Sequence, residues 1–191
     1  MDNQYFAASA IFLIQTLFGL YILVVMVRLM LQWVRADFYN PVSQFIVKIT
    51  NPPLKPLRRI IPGWGGIDFA SVVLLLALQM MELALVNLAV GRAFGVSGLF
   101  IGSVAELLGL GINIFIGAIL IQVILSWVAP TSYNPLIGLV HKIAEPLLAP
   151  ARRIIPPLSG IDFSPLVALV VLQLLKILLI APIANLGYNL G

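Results

Sequence analysis

The 191-residue chain contains no cysteine and a single histidine, His141, and only 9% of its residues are charged. The missing cysteine excludes structural disulfides, thiolate metal sites and haem attachment through Cys-x-x-Cys-His. A lone histidine excludes bis-histidine haem ligation within one chain. No nucleotide-binding glycine loop, zinc motif or Ser/His pair within an apolar run is present, so neither catalytic residues nor a metal or cofactor site are expected, and the chain reads as a non-enzyme. Soluble domains devote about 25% of their residues to charge. A chain this poor in charge, 61% hydrophobic and with mean hydropathy +1.10, has lipid as most of its solvent. Basic residues outnumber acidic ones 11 to 7, but their placement beside apolar runs points to membrane lipid and away from nucleic acid.

Four apolar runs are long enough to cross about 30 Å of hydrocarbon as helices. They are approximately Tyr5–Trp33, Phe69–Val90, Val96–Val128 and Phe163–Leu186. Strict alternation of apolar and polar residues, the mark of a membrane barrel, is absent. The amino-terminal run has an acid where a signal peptide carries basic residues, and it is too long for a signal's apolar segment. It reads as a retained first span.

The chain repeats itself at an interval of 94 residues. Trp33 maps onto Trp127, Tyr39-Asn40-Pro41 onto Tyr133-Asn134-Pro135, Lys48 onto Lys142, Arg58-Arg59 onto Arg152-Arg153, and Gly66-Ile67-Asp68-Phe69 onto Gly160-Ile161-Asp162-Phe163. Over positions 33–79, 23 of 47 residues match without a gap. Residues 1–95 and 96–191 are therefore tandem copies of a two-helix unit. A unit that crosses twice keeps its orientation on duplication, so the pseudo-symmetry axis runs along the membrane normal. The loops after the first and third spans hold eight Lys and Arg residues, against one, Arg92, between the second and third. The positive-inside rule then places both repeat loops in the cytoplasm and both ends of the chain outside.

Each loop opens with Asn-Pro, a capping asparagine followed by a proline suited to the first helical turn: Asn40-Pro41 and Asn134-Pro135. Val42, Phe45, Ile46 and Ile49, matched by Leu136, Leu139, Val140 and Ile143, form the apolar stripe of an interfacial helix. Prolines 52, 53 and 56, and 146 and 150 in the second copy, are expected to end each helix after about ten residues. Lys48, Arg58, Arg59, Lys142, Arg152 and Arg153 are candidate anchors for anionic lipid headgroups. Gly66 and Gly160 supply turns, and Asp68 and Asp162 stand where caps of the next span belong, within reach of the arginines. Trp33 and Trp127 suit an aromatic belt.

Charges inside the bilayer cost about 3 kcal/mol or more and need a partner or water. Glu82 and Lys176 are repeat mates, and Gln79 and Gln173 lie three residues before them. The expected arrangement is a polar seam in which Glu82 and Lys176 meet across the pseudo-axis. Arg28 and Glu106 lie near span ends, from which they are expected to reach the interface. Small residues at Gly109, Gly111, Gly117 and Ala118 allow close helix contact in the third span.

The paired Tyr-Asn-Pro, Leu-Arg-Arg-Ile-Ile-Pro or Ala-Arg-Arg-Ile-Ile-Pro, and Gly-Ile-Asp-Phe strings resemble the YggT family of bacterial inner-membrane proteins, over nearly the whole chain. The resemblance implies an all-α membrane protein with four transmembrane helices in two parallel tandem repeats, each with a short interfacial amphipathic helix in its cytoplasmic loop. It also implies a place in osmotic-stress tolerance and membrane homeostasis. Two readings of function follow. The first is a non-enzymatic scaffold or assembly factor that docks anionic lipid and a membrane-protein partner or a second copy of itself. The alternative is a component or regulator of cation transport, forming a pore as an oligomer.

Overall fold

Hydrocarbon offers backbone N–H and C=O groups no partner outside the chain, so apolar runs of this length fold as helices. The computed structural model describes residues 2–128, 134–155 and 162–190. Helix α1 covers Asp2–Trp33, α2 Pro41–Ile60, α3 Phe69–Ala89, α4 Val96–Val128, α5 Pro135–Ile154, α6 Ser164–Leu175 and α7 Ala181–Asn189, with a π-helical turn at Lys176–Ile180 between the last two. Four stretches are long and apolar enough to span a membrane: Tyr5–Trp33, Phe69–Ala89, Val96–Val128 and Ser164–Asn189. The chain is an all-α, multi-pass membrane protein, and α2 and α5 lie at the same end of it, here termed the loop end.

The loop helices differ from expectation in length. Each runs 20 residues, straight through Pro52, Pro53 and Pro56 in α2 and through Pro146 and Pro150 in α5. Their starts follow from the Asn-Pro pairs: Asn40 Oδ1 accepts from Val42 N and Asn134 Oδ1 from Leu136 N, both at 2.9 Å. A proline leaves the carbonyl four residues earlier without its donor. Pro53 so deprives Ile49, whose carbonyl receives the Tyr21 hydroxyl of α1 at 3.5 Å. Packing supplies the rest, since Leu54 and Leu148 are wholly buried against the bundle. The apolar stripe is divided: Val42, Ile46, Leu139, Val140 and Ile143 pack on the core, while Phe45 and Leu136 stay exposed.

One core joins the two copies, drawing Ile22, Val25 and Leu31 from α1, Leu75 from α3, Ile119 from α4 and Leu148 from α5. Trp33 meets Phe115 edge-on with ring centroids 6.2 Å apart. The copies are not packed as a closed pseudo-twofold. Helix α3 packs on α1 and α4, whereas the fourth span packs on α4 and α5 and, among the described residues, its backbone comes close to neither α1 nor α3. The short connection of residues 90–95 tethers α3 to α4, and nothing equivalent draws α7 to α1.

The tightest helix crossing lies away from the small residues singled out above. A Cβ on Gly187 would sit 2.6 Å from the Gly102 nitrogen and 3.3 Å from the Gly98 carbonyl oxygen, so α7 and α4 meet backbone to backbone. At Gly111 and Gly117 a Cβ would meet nothing within 4 Å. Gly187→Ala is expected to lower stability by about 1–3 kcal/mol through overpacking. Gly117→Ala should leave it within about 0.5 kcal/mol of the parent. Thermal unfolding in detergent compares the two, and equal losses would remove the crossing as the cause.

Candidate functional site

Two polar sites interrupt the apolar bundle, one at the loop end of the first copy and one within the spans. The first begins with Arg28, expected to extend toward the interface beside Trp33. Instead it is only 4% exposed. Its guanidinium turns into α2 and donates to the Thr50 hydroxyl, to Asn51 Oδ1 at 2.9 Å and to the Val47 carbonyl at 3.4 Å. Thr50 passes its own proton to the Ile46 carbonyl at 2.7 Å. A charge at this depth requires partners, and little more than one turn of α2, Val47 to Asn51, supplies them.

Beside Arg28 the next span starts at Asp68, 4% exposed. Its carboxylate accepts from Arg58 through both Nε, at 3.1 Å, and Nη2, and from the Ser71 hydroxyl at 2.6 Å. Asp68 occupies the cap position of α3 but spends its side chain on these partners. Burial pushes its pKa up, yet the Arg58 and Ser71 hydrogen bonds outweigh that and hold it below the ordinary value. The Gly65-Gly66 turn before it has positive φ at both residues, 63° and 83°, and is closed by reciprocal Trp64–Ile67 backbone bonds. Between α1, α2 and this turn lies a cavity of about 840 Å³, lined by Arg28, Lys48, Asn51, Arg58 and Asp68 among others.

The second copy builds the same frame with different charges. Arg152 Nε donates to Asp162 Oδ2 at 3.0 Å and Arg152 Nη1 to Glu145 Oε2 at 3.3 Å. Asp162 also caps the span by accepting from Ser164 N at 2.9 Å. Burial raises its pKa, but the Ser164 and Arg152 contacts leave it lowered overall. At the positions of Arg28, Thr50 and Asn51 stand Gln122, Ala144 and Glu145. Gly160 lies outside the described residues. Lys48, Arg59, Lys142 and Arg153 are exposed, and among the described residues Arg59 and Arg153 enter no ion pair. The two loops are joined where Asn40 Nδ2 donates to the Pro135 carbonyl at 2.7 Å.

Within the spans, Glu82 and Lys176 do not pair. Glu82 accepts from Gln79 Nε2 at 3.1 Å, and Lys176 Nζ donates to Asn113 Oδ1 at 2.8 Å. The reason is architectural: among the described residues the backbones of α3 and the fourth span do not come close, and α4 carries Asn113 to Lys176. Gln79, Glu82, Asn113 and Lys176 still line one cavity of about 340 Å³, together with Glu106, which stays exposed. Glu106 also lines an adjoining cavity of about 400 Å³ that extends to Arg92 and Tyr188 at the opposite end. Gln173 is exposed on the outside of α6 and takes no part in the seam. The π-helical turn starts at Lys176 and precedes Pro182, and such turns cluster at functional positions. Among the described residues no three His, Asp or Glu side chains gather to hold a metal ion.

One of these residues, Asn113, escaped the sequence reading although it had a visible signal, a carboxamide inside an apolar run. For Arg28 and Glu106 the expectation was a reach to the interface, with no sign of the α2 acceptors of the first or of the two cavities that the second lines. The turn of Arg28 into α2 has no local signal, because it depends on how α2 lies against α1.

The CCB3/YggT family profile matches twice, at residues 7–89 and 101–183. An uncharacterized protein of Pseudomonas aeruginosa is 50% identical over 180 residues, covering 92% of this chain and 90% of that protein. An uncharacterized protein of Vibrio alginolyticus is 44% identical over 174 residues, covering 90% of this chain and 93% of its own length. The uncharacterized protein YggT of Escherichia coli K12 is 37% identical over 167 residues, 86% of each chain. No solved structure matches.

Two measurements follow from this geometry. Asp68 has a folded pKa below its unfolded one, so its contribution is present above the ordinary carboxylate pKa, about 3.9, and is lost as pH falls through the lowered folded value. Asp68→Asn is expected to cost about 2–3 kcal/mol at neutral pH and to flatten the acid limb of stability. The exposed Asp162 should cost about 1 kcal/mol or less. An unchanged acid limb in Asp68→Asn would show that another group carries it. Because Glu82 and Lys176 have separate partners, Glu82→Gln and Lys176→Gln should add within about 0.5 kcal/mol, whereas Lys176→Gln and Asn113→Ala should not. Double-mutant unfolding cycles distinguish the pairs.

Proposed function

Since the chain belongs to the CCB3/YggT family, we propose that it serves the bacterial cytoplasmic membrane as a non-enzymatic scaffold or assembly factor in envelope homeostasis. In this reading the loop end faces the cytoplasm and both ends of the chain lie outside. The observation that carries it is the joined pair of loop helices. Helices α2 and α5, tied by Asn40 and Pro135, place exposed Lys48, Arg59, Lys142 and Arg153 beside exposed Phe45, Ile60, Leu136 and Ile154. Basic heads beside apolar tips suit a helix lying in an anionic headgroup layer. The partners are anionic phospholipid and a membrane protein or a second copy, with no role for nucleic acid.

A second reading has its own observation. The cavity containing Glu82, Glu106 and Lys176 adjoins the one that opens at Arg92, and Glu106 and Ala184 line both. Ionisable groups along such a path suit cation movement, alone or within an oligomer.

A chain without cysteine allows single-cysteine labelling. With an impermeant thiol reagent on intact cells, Lys55→Cys and Gly138→Cys are expected to stay unlabelled and Asn189→Cys to react. The reverse pattern overturns the orientation. Crosslinking and affinity purification from native membranes should then yield a stoichiometric partner. No partner, together with cation flux in liposomes that Glu106→Gln reduces, would replace the scaffold reading with the second.

A further inference from the structure

Among the described residues, Arg28 is the one cation of the loop end that is buried without a carboxylate of its own. Its hydrogen-bond partners are a hydroxyl, a carboxamide and a carbonyl, all neutral. The only carboxylate lining the same cavity among the described residues, Asp68, is held by Arg58 and Ser71. Three cations, Arg28, Lys48 and Arg58, therefore line the cavity against one acid, an excess of two positive charges. Of the five N–H groups of a guanidinium, the bonds of Arg28 use two on Nη1 and one on Nη2, so Nε–H and the second Nη2–H have no acceptor among the described residues. Buried charge without a counter-charge is costly, and the cost falls when an anion supplies it.

We propose that this cavity is a phosphate-binding site, filled by the phosphodiester of an anionic phospholipid, and that it is confined to the first repeat. Depth favours the lipid source. Arg28 lies five residues before Trp33, about 7.5 Å along the helix toward the hydrocarbon, which suits a phosphate below an aromatic belt. Lys48 stands exposed at the cavity as a second phosphate donor, and Phe38 on the lining offers an apolar wall to a glycerol backbone. The volume of about 840 Å³ accommodates a headgroup.

The second repeat is a built-in control. Gln122 replaces Arg28, Ala144 replaces Thr50, and Glu145 replaces Asn51 and engages Arg152. A carboxylate thus occupies the place where the first repeat has a carboxamide, and it repels phosphate. The site rests on the placement of α2 in the headgroup layer set out above.

The test is native mass spectrometry of the full chain, delipidated and then offered phosphatidylglycerol or phosphatidylcholine, with thermal unfolding in inorganic phosphate as a parallel arm. The parent should retain one phosphatidylglycerol in preference to phosphatidylcholine. Lys48→Gln should lower that retention about five- to tenfold, while its mirror Lys142→Gln leaves it unchanged. Asn51→Glu transfers the second repeat's residue, gives Arg28 the carboxylate it lacks, and should abolish retention without loss of thermal stability. Stabilisation by inorganic phosphate that Lys48→Gln and Asn51→Glu remove, with no preference for phosphatidylglycerol, assigns the same site to soluble phosphate. Equal lipid retention in all three variants and no response to phosphate overturns the site. That failure is separable from failure of the scaffold. Labelling in the expected orientation with no variant-specific retention removes the site alone, and reversed labelling with specific retention removes the cytoplasmic scaffold alone.

Discussion

Polar groups carried into hydrocarbon must find their partners inside the protein, and in this chain the demand of one arginine organises an entire end of the molecule. Arg28 enters the bundle on α1 and cannot be left unpaired there. Its three acceptors all come from one stretch of α2, Val47 to Asn51. That stretch must therefore lie against α1 as helix, and the prolines after it must be tolerated. The same constraint explains how they are. Pro53 leaves the Ile49 carbonyl without a donor, and Tyr21, two turns before Arg28 on α1, supplies one. In the second copy the proline and the tyrosine are both gone, replaced by Leu147 and Phe115. A leucine keeps its N–H, so no hydroxyl is required of the partner helix. The paired difference is what a hydrogen-bond debt and its repayment look like within one chain.

The ion pair between Arg58 and Asp68 extends this logic to the next span. It ties the end of α2 to the start of α3, so the buried arginine, the loop helix and the re-entering span form one linked unit. Arg152 and Asp162 repeat the tie with more exposure, and Glu145 draws Arg152 partly away. The link is retained as architecture, while its electrostatic surroundings differ. This contrast supports assigning ligand chemistry to the first copy and a more structural task to the second.

The fold was legible in the sequence to a large degree because its signals are local. Span length, the Asn-Pro starts, the duplication and the Gly-Ile-Asp-Phe turn each depend on a few neighbouring residues. What was not legible depends on which helix faces which. Glu82 and Lys176 are repeat mates, and equivalence suggested contact, but α4 stands between their helices and offers Asn113 instead. Gln173 matches Gln79, yet the first lies on an exposed face and the second is 7% exposed. The prolines misled for a related reason. They lower helix propensity locally, and only packing of Leu54 and Leu148, with help from Tyr21, shows that tertiary contacts prevail.

Duplication also sorts the residues by role without recourse to other proteins. Positions kept in both copies build the loop end: the capping asparagines, the basic pairs and the re-entry aspartates. Polar positions that differ line the cavities or hold their linings: Arg28 against Gln122, Asn51 against Glu145, Glu82 against Lys176, and Asn113 against Gly19. A symmetric pair of units would place equal charges at equal depths, where like charges facing one another across an axis repel. Divergence removes that conflict in the spans, since an acid and an amine now line one cavity without a direct bond. It leaves a chain whose architecture is twofold in origin but whose polar sites are each present once.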